Sequence, residues 1–223
     1  MIQPLRLVFV ILCLGDLLGI YTNNEFLRHC CKPLITVSLL VYYWVAARNN
    51  RSYWVVIALI CCFFGDSFLL YDHLNNLYFL LGLGAFLLGH IAYAIAFMKH
   101  QDRSASQLQN IQKLRIAVPI MLYGVLLLII LQPSLGNLKI PVYIYAVMLI
   151  TMALSALMRL GRTNTPSFAV AFLGACLFLV SDSVLAINKF HHTISGAGFI
   201  IMVSYMAAQY FIIDGFLKHY KTN

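Results

Sequence analysis

Two aspartates interrupt long apolar runs: Asp66 in Phe63-Phe64-Gly65-Asp66-Ser67-Phe68 and Asp182 in Leu179-Val180-Ser181-Asp182-Ser183-Val184. Two carboxyl groups that approach each other in a low-dielectric setting cannot both ionise easily and share a proton. One acid beside one anion is the pairing that acid–base hydrolysis uses. Counting from the nearest polar break, each aspartate sits about 9 Å inside its span at 1.5 Å per residue, and Tyr145 sits roughly 8 Å inside another. Lys32 and Asp16, near the ends of two further spans, can reach toward the same layer. A deeper set joins His90 and Tyr93 in one span to Tyr205 and Gln209 in another, each pair sharing a helix face at i,i+3 or i,i+4. His90 is the only one of seven histidines well inside a span, which disfavours a three-histidine metal site. Ordinary structural roles stand beside these readings. Buried aspartates and histidines join helices by hydrogen bonds, tyrosines pack, and a lysine at a helix mouth snorkels. His191 and His192 read as solvated loop residues, and Gly82, Gly84, Gly196 and Gly198 as points of close helix packing.

The elements carrying these groups follow from composition. Of 223 residues, 62% are apolar and 10% charged, with mean hydropathy +0.86. A soluble domain is roughly half apolar and a quarter charged. Soluble globular, disordered, collagenous and disulfide-scaffold classes are therefore excluded, and an all-α polytopic membrane protein remains. Eight spans are predicted, at residues 5–21, 33–47, 53–71, 77–98, 114–131, 140–160, 168–187 and 194–217, forming one transmembrane domain over 1–223. The first span contains Asp16 and lacks a small-x-small cleavage site, so it reads as a helix of the mature protein rather than a signal peptide.

The net charge of +8 sits between the apolar runs and points to membrane orientation and anionic lipid, not nucleic acid. Arg6, Arg48, Arg51, Lys99, Arg103, Lys113, Arg115, Arg159, Arg162, Lys218 and Lys221 fall on one side, against Arg28, Lys32, Lys139 and Lys189 on the other. Both termini are thereby predicted cytoplasmic. Six cysteines without a CxxC motif give neither a zinc site nor a disulfide framework. Gly65-Asp66-Ser67 and Ser181-Asp182-Ser183 are offset by 116 residues, and that offset carries Tyr93 onto Gln209. Both Asp spans run the same way across the membrane, so the signature is a parallel four-plus-four repeat.

These residues resemble the YhhN-type lysoplasmalogenase family of eight-helix membrane proteins over nearly the whole chain. The resemblance rests on Lys32-Pro33, Gly65-Asp66, Gly84-Ala85-Phe86 with His90 and Tyr93, Tyr145 with Met152, Gly174-Ala175 with Phe178 and Ser181-Asp182, and Tyr205 with Gln209. Cys176-Leu177 departs from the small or aromatic residues expected there and bears on packing more than on the site. The resemblance implies hydrolysis of the vinyl ether bond of lysoplasmalogen to a fatty aldehyde and glycerophosphoethanolamine or glycerophosphocholine. The chemistry of the residues fits that reaction, which needs a strong acid, a nearby anion and a positioned water, and no metal or organic cofactor. On this reading Asp66 and Asp182 are the acid and the stabilising base. Tyr145 orients a carboxylate or the water, and Lys32 binds the head-group phosphate. His90, Tyr93, Tyr205 and Gln209 line the deeper part, and His90 is a further acid–base candidate.

Other classes stay open. A proton-coupled transporter of small molecules or lipids would also hold Asp, His and Tyr at membrane depth. An intramembrane aspartyl protease would be expected to carry Gly-x-Gly-Asp and Tyr-Asp, which these flanks lack. A purely structural subunit would tolerate loss of both aspartates. Short connections and missing tails favour a bacterial cytoplasmic membrane over the endoplasmic reticulum.

Overall fold

A backbone in hydrocarbon must satisfy its own hydrogen bonds, which for apolar runs of this length selects the α-helix. The computed structural model describes residues 2–48, 50–102 and 110–220, with only the backbone of 110–113 and 220. Arg103 and Lys221, two of the charges used for orientation, lie outside the described residues, as does the side chain of Lys113. Among the described residues the helices are α1 (Ile2–Tyr21), α2 (Glu25–Ala47), α3 (Tyr53–Leu69), α4 (Asn76–Lys99), α5 (Asn110–Leu131), α6 (Lys139–Leu157), α7 (Thr165–Phe190) and α8 (Ala197–Tyr220). Two 3₁₀ turns, Gln132–Ser134 and Gly136–Leu138, join α5 to α6. Seven of these segments are long and apolar enough to cross a membrane, while α3 has 17 residues. At 1.5 Å per residue α3 extends ~26 Å, just short of a typical hydrocarbon core of ~30 Å.

Two helix starts differ from expectation for identifiable reasons. The second helix begins eight residues before Pro33, because Asn24 caps it, accepting from the Leu27 N–H at 3.0 Å, and Glu25 occupies its first turn. An aspartate, asparagine or serine cap followed by an acidic residue starts a helix strongly. The helix then runs through Pro33. α3 stops at Leu69 rather than Tyr71, so Asp66 lies three residues from its end. α7 begins at Thr165, where the Asn164 side chain accepts from the Ser167 N–H at 2.8 Å and Pro166 fits the first turn. It runs on to Phe190, so Asp182 lies eight residues inside it.

The chain forms two compact units, Met1–Tyr93 and Ala94–Asn223. In the first, α1 packs on α2 and α2 on α3, and glycines bring α3 and α4 together. A Cβ at Gly65 would lie 2.6 Å from the Phe86 ring, and one at Gly89 3.1 Å from Cys62 Sγ. In the second, α5 packs on α6, α6 on α7 and α7 on α8. There a Cβ at Gly174 would meet the Ala208 carbonyl and the Ile212 N, both at 2.8 Å. Of the glycines expected at close packing, Gly82 abuts Leu69, whereas Gly84 has open space around it. Gly196 serves a turn instead, with φ +73° that a side chain would strain. Leu7, Ile11, Leu14 and Leu18 form an exposed apolar stripe on α1, the kind of surface that hydrocarbon chains cover.

Candidate functional site

In the first unit the site is organised by one face of α2. Arg28, Lys32 and Thr36 recur every four residues and so stack on that face. The Arg28 side chain is 36% exposed, Lys32 is 7% exposed and Thr36 is fully buried. The stripe therefore runs from the helix mouth into the apolar interior. At its inner end the Thr36 hydroxyl donates to Asp66 Oδ2 at 3.0 Å, with the Pro33 carbonyl as an alternative acceptor at 3.3 Å. Asp66 is 1% exposed. Lys32 lies in the electrostatic field of Asp66 first, then Arg28, Asp16 and Asp72. The lysine and the aspartate that the sequence singled out thus belong to one charged group. Asp16 is buried against the same region, with Arg28 Nε 3.9 Å from its Oδ1. His90 and Tyr93 are fully buried on α4, and Tyr93 interacts electrostatically with Cys62 and Tyr43.

In the second unit Tyr145 of α6 donates a hydrogen bond to Asp182 Oδ2 of α7. The phenol is buried and the carboxylate half-buried. One residue away, Ser181 donates to the Ile201 carbonyl at 3.0 Å and ties α7 to α8. Gln209 donates to the Tyr205 hydroxyl at 3.2 Å, and the Tyr205 ring meets Phe178 edge-on at 5.4 Å. The structure thus pairs Tyr145 with Asp182 and Tyr205 with Gln209. His191 and His192 are exposed in the loop after α7, as expected.

Sequence reasoning missed two members of the first cluster. Thr36 was passed over as one of many small polar residues, and Arg28 was counted only for orientation. The four-residue spacing Arg28, Lys32, Thr36 was the available signal, but it becomes visible only once α2 is extended back to Glu25. Arg159 is a third surprise. It was assigned to the cytoplasmic surface, yet it is fully buried, over the rings of Phe97 at 5.7 Å and Phe216 at 5.4 Å. Its Nε donates to the His100 carbonyl at 3.1 Å and one terminal nitrogen to Ser167 Oγ at 2.8 Å. Nothing in a local window distinguishes such an arginine from a solvated one.

A carboxyl group held by a hydroxyl beside a buried ammonium can exchange a proton with a substrate and stabilise a developing cation, while the ammonium binds an anion. A carboxylate held by a phenol can orient a water or take up its proton.

Several known proteins resemble this chain over most of its length. The chain is 32% identical over 180 residues to the rat protein named lysoplasmalogenase TMEM86B, covering 80% of this chain and 67% of the relative. It is 35% identical over 197 residues to a lysoplasmalogenase of Mycobacterium bovis, covering 87% and 72%. It is 26% identical over 210 residues to an uncharacterized membrane protein, YhhN, of Escherichia coli O6:H1, covering 92% and 96%. No solved structure matches the chain. The model of the YhhN family matches residues 27–216, a stretch that holds every residue of both clusters except Asp16, and this protein belongs to that family.

Proposed function

We propose that the protein is a lysoplasmalogenase: it hydrolyses the vinyl ether bond of lysoplasmalogen to a fatty aldehyde and glycerophosphoethanolamine or glycerophosphocholine. The observation that carries this reading is the α2 stripe, which leads from the half-buried Arg28 past the buried Lys32 to the Thr36–Asp66 hydrogen bond. Lys32 and Thr36 are one helical turn apart, ~6 Å along the axis. The three-carbon glycerol unit between a lysolipid's phosphate and its vinyl ether has a comparable reach. A phosphate on Lys32 therefore sets the enol ether level with Asp66, and the alkenyl chain continues into apolar surroundings.

The chemistry then runs in balanced steps. A carboxylic acid protonates the alkene carbon remote from oxygen, leaving an oxocarbenium ion that the second carboxylate stabilises. Water adds at the carbon bonded to oxygen and gives up a proton to a carboxylate, forming a hemiacetal. The hemiacetal loses its hydroxyl proton, its bond to the glyceryl oxygen breaks, and that oxygen is protonated as the aldehyde leaves. One water is consumed in all. Asp66 and Asp182 are assigned the two carboxyl roles, Tyr145 orients Asp182, and His90 shares in proton transfer. Tyr93, Tyr205 and Gln209 contact the alkenyl chain.

Cytoplasmic termini, a bacterial cytoplasmic membrane and a parallel repeat belong to the same proposal. The repeat is supported by register. Gly65 faces Phe86 and Cys62 faces Gly89 across α3 and α4. An offset of 116 residues carries Cys62 and Gly89 onto Phe178 and Tyr205, whose rings meet, and carries Gly65 and Phe86 onto Ser181 and Met202, one residue past the Ile201 carbonyl that Ser181 bonds. The test is aldehyde release by purified protein in detergent supplied with lysoplasmalogen. Wild type is expected to release aldehyde, and folded Asp66→Asn and Asp182→Asn variants to lose it. A transporter releases none, and full release by either variant removes that aspartate from the mechanism.

A further inference from the structure

Asp16 is fully buried on α1, and neither carboxylate oxygen has a hydrogen-bond partner among the described residues. The contact it has is a loose ion pair, 3.9 Å from Arg28 Nε, and that Nε likewise has no hydrogen bond. Lys32 is buried on the next turn of α2, in the electrostatic field of Asp66, Arg28, Asp16 and Asp72. A carboxylate and a guanidinium nitrogen so enclosed would ordinarily be hydrogen-bonded, since leaving them otherwise is costly. Here Asp16 is kept beside Arg28 and in the field of Lys32 without closing into a tight pair.

The backbone explains why Asp16 stays in this position. A Cβ on Gly15 would lie 2.7 Å from Cys31 Sγ, and one on Gly19 2.7 Å from Arg28 Cγ and 3.2 Å from the Arg28 N. Glycines on both sides of Asp16 thus let α1 run hard against the same turns of α2 that carry Arg28 and Lys32. The carboxylate is fixed by helix packing rather than by its own bonds.

We propose that Arg28 and Lys32 together form the phosphate site for the lysolipid head group, and that Asp16 is its built-in counter-ion. This rests on the proposed lysolipid substrate and adds to it. With the site empty, Asp16 adds to Asp66 in balancing two cations that would otherwise repel each other in apolar surroundings. When a phosphate arrives, its oxygens supply the hydrogen bond that Arg28 Nε lacks, in the bidentate geometry a guanidinium favours, and a negative charge beside the Lys32 ammonium. Asp16 then becomes a like-charged neighbour of the ligand. It weakens binding and hastens departure of the glycerophospho product, so it acts as a positioning residue that tunes affinity through the two cations.

The experiment is a titration of the detergent-solubilised full chain with glycerophosphoethanolamine, read by ligand-induced thermal stabilisation, with inorganic phosphate as a second ligand. Because no bond is broken, the result does not depend on hydrolysis. Wild type is expected to bind glycerophosphoethanolamine at least as tightly as inorganic phosphate, and Arg28→Gln and Lys32→Gln each to weaken it. Asp16→Asn is expected to bind it roughly tenfold more tightly, about 1.4 kcal/mol, and to show a lower KM for lysoplasmalogen. Asp16→Glu is expected to restore wild-type affinity. A merely structural Asp16 would lower the folded yield or weaken binding, and either unchanged or weakened binding in folded Asp16→Asn overturns the counter-ion role. Should Asp16→Asn not fold, unchanged binding in Arg28→Gln overturns the two-cation site, as does preference for inorganic phosphate. Head-group binding with this pattern but no aldehyde release would retain the site and remove the hydrolase reading.

Discussion

α3 and α7 carry aspartates 116 residues apart in the sequence, but the two carboxylates are held in different ways. Asp66 stands one turn from the end of a 17-residue helix, takes a hydroxyl hydrogen bond from Thr36, and lies in the field of a buried lysine. Asp182 stands two turns inside a 26-residue helix and accepts a hydrogen bond from a phenol. The first environment is ionic and opens along α2 toward a half-buried arginine. The second is a hydrogen bond between neighbouring helices, backed by the close α7–α8 packing at Gly174. Similar sequence flanks therefore do not imply similar work. The ionic environment suits binding a charged head group and protonating beside it, and the phenol-held carboxylate suits orienting water.

The sharpest way to break that comparison is to remove both carboxylates in turn. Asp66→Asn and Asp182→Asn are each expected to lower kcat for aldehyde release by ~10²–10⁴-fold, the usual worth of positioned acid–base groups. The double variant should be scarcely worse than either single one, because groups that act as a unit are not additive. Multiplying losses would mean that the two act independently.

The next largest effect concerns packing. Gly174→Ala forces a methyl against the backbone of α8 and is expected to cost ~1–3 kcal/mol, read as a drop in thermal stability. Gly84→Ala, with nothing within 4 Å of its Cβ, should be close to neutral.

Removing the partners one at a time then sharpens the contrast. Tyr145→Phe and Thr36→Val each delete a hydrogen bond of the order of 1–3 kcal/mol when the acceptor is charged, so about tenfold in kcat/KM is expected for each. Added salt should raise KM for wild type and for Tyr145→Phe alike, since the ionic region serves binding in both. A salt response that vanished in Tyr145→Phe would merge the two environments.

The smallest effect is a pH dependence at the far end of the second unit. Burial lowers the pKa of His100 below the ordinary histidine value, and Arg159 and Lys99 reinforce this, while a hydrogen bond to the Ala96 carbonyl opposes it. His219 faces it edge-on at 5.9 Å. The unfolded chain therefore binds the proton at higher pH than the folded one. This contribution to stability is intact above the ordinary histidine pKa and is lost as pH falls through it toward the folded value. His100→Gln should flatten the decline of thermal stability with acidification, measured by thermal melts across that range.

Much of the architecture was legible without coordinates. Hydropathy marked the segments, because in a membrane the energy of burial is summed over some twenty residues and survives errors at any one. Boundaries failed where a local signal outweighed it: Asn24 started α2 well before Pro33, and α3 ended at Leu69. Asp66, Asp182, Lys32 and Tyr145 stood out because charge or polarity in apolar surroundings is costly. Thr36 and Arg28 did not stand out in the same way, since threonine is tolerated in any helix and Arg28 lies near a helix end.

The amino-acid sequence by itself determined that the chain is a set of apolar helices, how many there are, and which polar groups they carry into the bilayer. Those follow from composition along each segment, which does not depend on what lies beside it. Only the tertiary structure decided that Thr36 meets Asp66, that Tyr145 meets Asp182, that Asp16 faces Arg28, and that Arg159 is sheathed by two phenylalanines. Such pairings depend on how each helix is rotated about its axis and which neighbour it packs against. That is fixed by contacts such as Gly15 on Cys31 and Gly174 on Ala208, between residues far apart along the chain.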